Sequence, residues 1–283
     1  MIPATPEETP SPAAVAVLTS LLEARTGQHL DRTRAWRIGT SLKPLLREEG
    51  LASLDALVGA VVADRNPALA ERVVDALLNR ETSFFRDAGV IDGVADLVGE
   101  MVASGRRPRI WSAGCSTGQE IYSLAIALVE RGAAPVEALP EMLATDVSPG
   151  TIERAAAATY SQFEIQRGLP VRSMLRWFAQ SGEQWTLAPE IAARVRFRIH
   201  NLIGQPLPPG RYDVVMCRNV LLYFSAQRRR EVLDRIAEAM PPEGTLVLGA
   251  GETVIGLSEQ FAPCPVRRGF YRRVARQTQR LRA

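Results

Sequence analysis

The chain has 283 residues, 46% of them hydrophobic and 23% charged, with a net charge of +3. That is room for one large domain or two smaller ones with cores of their own, and the composition is that of an ordinary globular protein. No apolar run reaches membrane-spanning length, the first residues lack a basic-then-apolar signal pattern, and the three cysteines are odd in number and scattered. A disulfide framework, a structural zinc site and direct membrane insertion are therefore not expected, and a reducing cytoplasm fits best. The mild positive charge favours acidic partners without implying nucleic acid.

In chain order, residues 1–10 are rich in Pro, Thr and Glu and read as a disordered tail. Ser11 and Pro12 look like a helix cap and first turn, with Gly27 as the stop. Asp31 can cap a second helix whose apolar stripe is Ala35, Ile38, Leu42, Leu45 and Leu46, and Pro44 should kink that helix or end it early. Arg34 and Arg37 border the stripe on one flank, and Arg32, Lys43 and Arg47 on the other. Such a charged face is most simply solvated. Leu54, Leu57, Val58 and Val61, then Leu69, Val73, Leu77 and Leu78, mark two further amphipathic segments. Residues 11–78 thus read as a helical domain, and residues 79–90 as a linker.

From about residue 108 strands alternate with helices, the pattern of a parallel sheet. Strands are expected near 109–113, 142–146, 195–199, 212–217 and 244–250, helices near 118–131, 149–158 and 226–240, and a last strand, antiparallel, between Cys264 and Val274. Residues 160–194 are too long for a plain crossover; Trp185-Thr-Leu and a nearby Ser-Gly pair suggest an inserted hairpin.

The chemistry concentrates where the first strand enters its helix. Gly114 to Gly118 forms a small-residue turn, and Asp146 ends the next strand, the arrangement by which doubly wound folds hold a nucleoside. The turn has no Walker lysine, since Gln119 follows Gly118, and Glu120 occupies the first helical turn where a pyrophosphate would lie. A carboxylate there repels phosphate but welcomes an ammonium group. An adenosine carrying an amino-acid tail satisfies both acids, which points to S-adenosylmethionine. Asp146 as a mere helix cap before Pro149, Arg218 as a partner of Asp213, and Tyr223 as a strand-end aromatic are the plain structural readings of those positions.

Four segments carry a resemblance: Asn79-Arg-Glu-Thr-Ser-Phe-Phe-Arg-Asp87, Ser112-Ala-Gly-Cys-Ser-Thr-Gly-Gln-Glu120, Ala144-Thr-Asp-Val-Ser148 and Cys217-Arg-Asn-Val-Leu-Leu-Tyr-Phe224. In this order they resemble the chemotaxis receptor glutamate methyltransferases of the CheR type. The resemblance implies a seven-stranded, Rossmann-like α/β methyltransferase sheet over 91–283, an N-terminal helical receptor-docking domain and a small β-subdomain at about 160–194. It implies cofactor contacts from Arg80, Thr82, Arg86, Gly114, Glu120, Asp146, Asn201, Leu202, Arg218 and Asn219, with Arg86 and Tyr223 beside the transferred methyl. It also implies a docking helix bearing Arg32, Arg34, Arg37, Lys43 and Arg47 against the acidic helical coiled coil of a chemoreceptor's cytoplasmic domain. The products would be a glutamyl methyl ester and S-adenosylhomocysteine, made by a monomer without a metal.

Two departures stand out. Arg80 occupies a place where the family usually has Asn, with Asn79 one residue earlier, and Gly249-Ala-Gly-Glu252 replaces the commoner Gly-His-Ser-Glu. The short turn at Ala179–Gln184 suggests an enzyme that works without a receptor tether. A methyltransferase of another acceptor, or a silent cofactor-binding scaffold, are the alternatives.

Overall fold

The computed structural model describes residues 11–30, 36–63 and 67–274. The expected tail at 1–10, the cap at Asp31, and Arg32, Arg34 and Ala35 lie outside them. The chain divides into two compact units, residues 1–79 with 223–225, and residues 80–222 with 226–283.

The first unit is helical. In α1 (Pro12–Thr26) the Ser11 hydroxyl accepts from the Ala14 amide, proline occupies the first turn, and Gly27 stops the helix in a left-handed conformation. Leu18 and Leu22 are its fully buried leucines. Three more helices complete the unit: α2 (Trp36–Glu48), α3 (Leu54–Ala63) and α4 (Pro67–Leu77). Helix α1 packs on α3 and α4, and α2 does the same. The expected early stop at Pro44 does not occur, because α2 continues to Glu48. Proline costs one intrahelical bond, and burial of Leu42 on one side of it and Leu45 on the other holds the last turn in place.

The second unit opens with α5 (Ala88–Ala103), a helix not expected from the sequence. Its glycines lower helix propensity, yet Ile91, Val94, Ala95 and Val98 recur at helical spacing and are buried. A Cβ at Gly93 would lie 3.1 Å from the Phe270 ring, and one at Gly99 would lie 3.2 Å from the Ala133 methyl. The glycines let this helix sit close to its neighbours.

A sheet of seven strands follows: β1 (Arg109–Ala113), β2 (Glu141–Asp146), β6 (Val195–Ile199), β7 (Val214–Cys217), β8 (Thr245–Leu248), β9 (Phe261–Pro263) and β10 (Phe270–Arg273). Their spatial order is β6-β2-β1-β7-β8-β10-β9, and β10 alone runs opposite to the others, pairing antiparallel with both β8 and β9. The antiparallel strand expected between Cys264 and Val274 is β10, and β9, which the sequence reading did not include, forms the sheet edge beside it. Helices α6 (Gln119–Glu130), α7 (Pro149–Ala157) and α11 (Ala226–Glu238) connect the parallel strands. The chain leaves β1 for β2 on one side and later places β7 on the other, so the strand order reverses between β1 and β7. Open α/β sheets bind ligands at the carboxyl end of such a reversal.

The insertion is larger than a hairpin. It forms a three-stranded antiparallel sheet, β3 (Thr159–Ser161), β5 (Gln184–Leu187) and β4 (Phe178–Ser181) in that order. Short helices α8 (Gln162–Gln166), α9 (Val171–Trp177) and α10 (Pro189–Ala192) accompany it. The expected Ser-Gly turn joins β4 to β5. Phe84 is fully buried edge-on against Tyr160 at 4.9 Å and Phe178 at 5.4 Å, fastening the 80–87 segment to the insertion.

Candidate functional site

At the carboxyl end of β1 the backbone turns through Gly114 at φ 79° and Ser116 at φ 50°. The Gly114 and Cys115 amides both donate to the Thr145 carbonyl, stitching the turn to β2. A Cβ on Gly114 would stand 2.5 Å from Val220 Cγ2, so only glycine lets the loop after β7 come this close.

Asp146 sits where β2 ends. One carboxylate oxygen accepts from the Ser116 amide at 2.9 Å and the other from the Ser148 amide at 3.1 Å. The cap of α7 is Ser148, whose hydroxyl accepts from Thr151, so the helix-cap reading of Asp146 is replaced. Burial pushes the Asp146 carboxyl above its ordinary range, against the opposing pull of these amides and of the Arg80 charge. The Arg80 carbonyl also accepts from the Ser116 hydroxyl at 2.9 Å. The residue that departs from the family pattern thus touches this corner through both its backbone and its charge.

Glu120 lies in the first turn of α6, its side chain 15% exposed. It accepts from the Ser112 hydroxyl at 3.1 Å and from the Arg218 guanidinium at 2.9 Å. Burial again raises its pKa, opposed by Arg218 and Ser112. The Arg218 side chain is 1% exposed and also donates to Asp87 at 2.7 Å and to the Arg86 carbonyl at 3.0 Å. The pairing of Arg218 with Asp213 is therefore corrected: Asp213 binds Arg106 and the Arg109 amide. One donor of Arg218, Nε, is buried without a hydrogen-bond partner. Asp87 forgoes the cap of α5 that its position offers, and it and Phe85, on either side of Arg86, both have positive φ. Strained backbone of this kind costs on the order of 1–3 kcal/mol per residue and clusters at functional sites.

Asn219 follows at φ 59°. Its amide and those of Val220 and Leu222 converge on the Glu252 carboxylate. Beyond β6, Asn201 caps a tight turn by accepting from the Ile203 amide, and Leu202 is buried. Thr82 and Arg86 are half-buried on the 80–87 segment, where the Arg86 guanidinium donates to the Glu81 carbonyl.

In the first unit Tyr223 meets Asn79, whose amide donates to the phenolic oxygen. Arg37 is half-buried and donates to the Asn79 carbonyl at 3.2 Å. Lys43 and Arg47 are exposed on α2. Asn79, Asp87 and Glu252 were not read as site residues. Each lies at an end of a segment singled out in the sequence, but none is marked by its residue type alone.

The partly buried acids at 120 and 146 fit the two ends of S-adenosylmethionine. Glu120, held by the buried Arg218, presents a partly exposed anion, the complement of the ammonium of an amino-acid tail. Asp146 keeps lone pairs for a ribose. Among the described residues no group of three or more His, Cys, Asp or Glu is placed to hold a metal, and no helix is long and apolar enough to cross a membrane.

Residues 80–270 match the family described as "CheR methyltransferase, SAM binding domain". The chain is 35% identical over 247 residues to "Chemotaxis protein methyltransferase Cher2" of Pseudomonas putida, covering 85% of this chain and 90% of that one. It is 36% identical over 247 residues to "Chemotaxis protein methyltransferase 1" of Pseudomonas aeruginosa, with the same coverage of 85% and 90%. It is also 33% identical over 229 residues to "Probable biofilm formation methyltransferase WspC" of Pseudomonas aeruginosa, covering 79% of this chain and 54% of that one.

Proposed function

The chain belongs to the CheR methyltransferase family, and on that premise we propose that it methylates glutamate side chains of chemoreceptor cytoplasmic domains. It is an S-adenosylmethionine-dependent methyltransferase of the chemosensory kind; the glutamyl ester is the finer reading argued here. The observation that carries it is the Glu120–Arg218 pair beside Asp146, at the strand-order reversal.

When bound, S-adenosylmethionine supplies an electrophilic methyl carbon on a sulfonium. Glu120, oriented by Arg218, would hold the ammonium of its tail, and Asp146 would hold the ribose hydroxyls. Asn201 and Leu202 flank the adenine. Thr82, Arg80 and Asn219 would line the same crevice, and Gly114 lets the loop after β7 close up beside it.

A receptor glutamate, with a pKa of about 4.3, is already an anion at neutral pH and needs no base. Joining it to a sulfonium methyl neutralises both charges, so a water-poor site holding the two in line lowers the barrier. Arg86 and Tyr223 keep the orienting role their motif positions imply. This agrees with a cluster built of acids, arginines and amides and lacking a histidine general base. The acceptor, an acidic helical coiled coil, complements exposed Lys43 and Arg47. The enzyme would act as a monomer in the cytoplasm, without a metal.

The test is transfer from methyl-labelled cofactor to receptor-containing membranes. Base-labile label on the receptor supports a glutamyl ester. Base-stable label indicates another acceptor, and no label a silent scaffold. A receptor from a biofilm-formation system, as the name of the WspC relative suggests, belongs in the same assay.

A further inference from the structure

We propose that Glu252 is a positioning residue for the cofactor crevice, its carboxylate serving as the internal anion around which the 218–222 loop is folded. The inference rests on the reading above, because it concerns how the Arg218–Asn219 segment is held in place.

Glu252 is 9% exposed. One of its oxygens accepts from the Asn219 amide at 2.7 Å and the Gly249 amide at 2.8 Å. The other accepts from the Val220 amide at 2.9 Å and the Leu222 amide at 3.3 Å. Backbone amides aimed at one point cannot satisfy one another, and a buried donor left unpaired forfeits its solvation without return. A carboxylate has two oxygens with two lone pairs apiece, so it can take all four. A carboxamide has one such oxygen and would turn its own N–H groups towards two of the donors. The site therefore requires the charge and not merely the shape.

The loop so gathered has consequences at the crevice. Asn219 is held in a left-handed conformation that carries the chain straight into Val220. Val220 lies against Gly114, where a Cβ would stand 2.5 Å from it, and Arg218 reaches back to Glu120. Gly249 has to be glycine for the same reason, since a Cβ there would stand 2.8 Å from both the Glu252 carboxylate and the Asn219 side chain. Glu252 thus fixes, at one remove, the spacing between the glycine turn and the arginine that pairs with Glu120.

Without its side chain the position becomes a ring of convergent amides, which is an anion-binding nest. A small carboxylate should refill it. The test is calorimetric affinity for S-adenosylhomocysteine of the full-length protein, in formate and in chloride at matched ionic strength. Glu252→Ala should weaken binding about ten-fold or more. Formate should restore much of that loss and raise the variant's melting midpoint, whereas chloride should do neither. Glu252→Gln should be weakened too and should not respond to formate, because its side chain fills the nest. Wild-type affinity in either variant, or equal effects of formate and chloride on Glu252→Ala, would overturn the proposal. If Glu252→Ala does not fold, the affinity of Glu252→Gln decides. If wild type itself fails to bind, the methyltransferase reading falls, and the formate-dependent melting of Glu252→Ala still judges the anion-nest claim alone.

Discussion

The phenolic oxygen of Tyr223 accepts a hydrogen bond from the side-chain amide of Asn79, whose carbonyl in turn accepts one from Arg37. A residue proposed to act in methyl transfer and a residue of α2, the proposed docking helix, are thereby linked through the asparagine that stands one place earlier than the family pattern. The phenol is thereby fixed in place, which suits an orienting role. Tyr223→Phe should lower kcat by about ten-fold, the equivalent of one hydrogen bond worth about 1.4 kcal/mol. It should leave affinity for S-adenosylhomocysteine unchanged. Because no proton is abstracted, the pH profile of turnover should keep its shape, and a new steep limb in the variant would refute the orienting role.

The docking helix offers a cleaner test elsewhere. Arg37 is half-buried and tied to Asn79, so reversing its charge would disturb Tyr223 as well. Lys43 and Arg47 are exposed on the same helix. The double variant Lys43→Glu, Arg47→Glu should raise KM for receptor several-fold while kcat and cofactor affinity hold. At about 1 M salt, where exposed charges are screened beyond about 3 Å, the difference from wild type should largely vanish. Equal loss of cofactor affinity would argue against a docking surface.

Much of this was legible in the residues, and the part that was not has physical reasons. Strands β1, β2, β7 and β8 could be read because strands covered on both faces are short, largely apolar runs, whereas the edge strand β6 showed as Val195, Phe197 and Ile199 alternating with arginines. Helix α5 was obscured by glycines whose purpose is close packing against Phe270 and Ala133, a tertiary fact with no local signal. Arg218 was assigned the wrong acid because strand proximity in sequence says nothing of which way a buried guanidinium points. Glu252 was the least readable: its four partners are backbone amides, which have no letter of their own.

Burial raises the pKa of both Glu120 and Asp146, and this gives the site a pH signature. A buried acid with a raised pKa stabilises the fold most where it is protonated, and that contribution is lost as pH rises through the folded-state value. Burial therefore penalises the ionised form of both acids, and an ammonium at Glu120 offsets that penalty there. Affinity for S-adenosylhomocysteine should fall as pH drops through the raised Glu120 value, at higher pH than an ordinary glutamate would titrate. Binding in that window should release a proton, visible as a buffer-dependent heat. Glu120→Gln should bind about 10–100-fold more weakly, as expected for losing a charged hydrogen bond of about 1.5–3 kcal/mol, and should lose this pH dependence.

The inserted β-sheet is bound to the segment that carries Thr82 and Arg86, and Gly168 is the point of closest approach. Gly168 has φ 96°, and a Cβ there would lie 2.1 Å from the Phe84 carbonyl oxygen, which is backbone and cannot swing aside. Beside it Arg167 pairs with Glu81 at 2.6 Å. Gly168→Ala should therefore combine a backbone strain of about 1–2 kcal/mol with displacement of the 80–87 segment. The melting midpoint should fall by at least about 4 °C, at about 2–4 °C per kcal/mol for a unit of this size. Affinity for S-adenosylhomocysteine should fall with it. Gly182→Ala is the matched control, because Gly182 has φ 60° with open space where its Cβ would go. It should show the strain cost alone and keep full affinity. If the two variants lose affinity equally, the insertion does not brace the segment, and its contact at Phe84 is packing without consequence for the crevice.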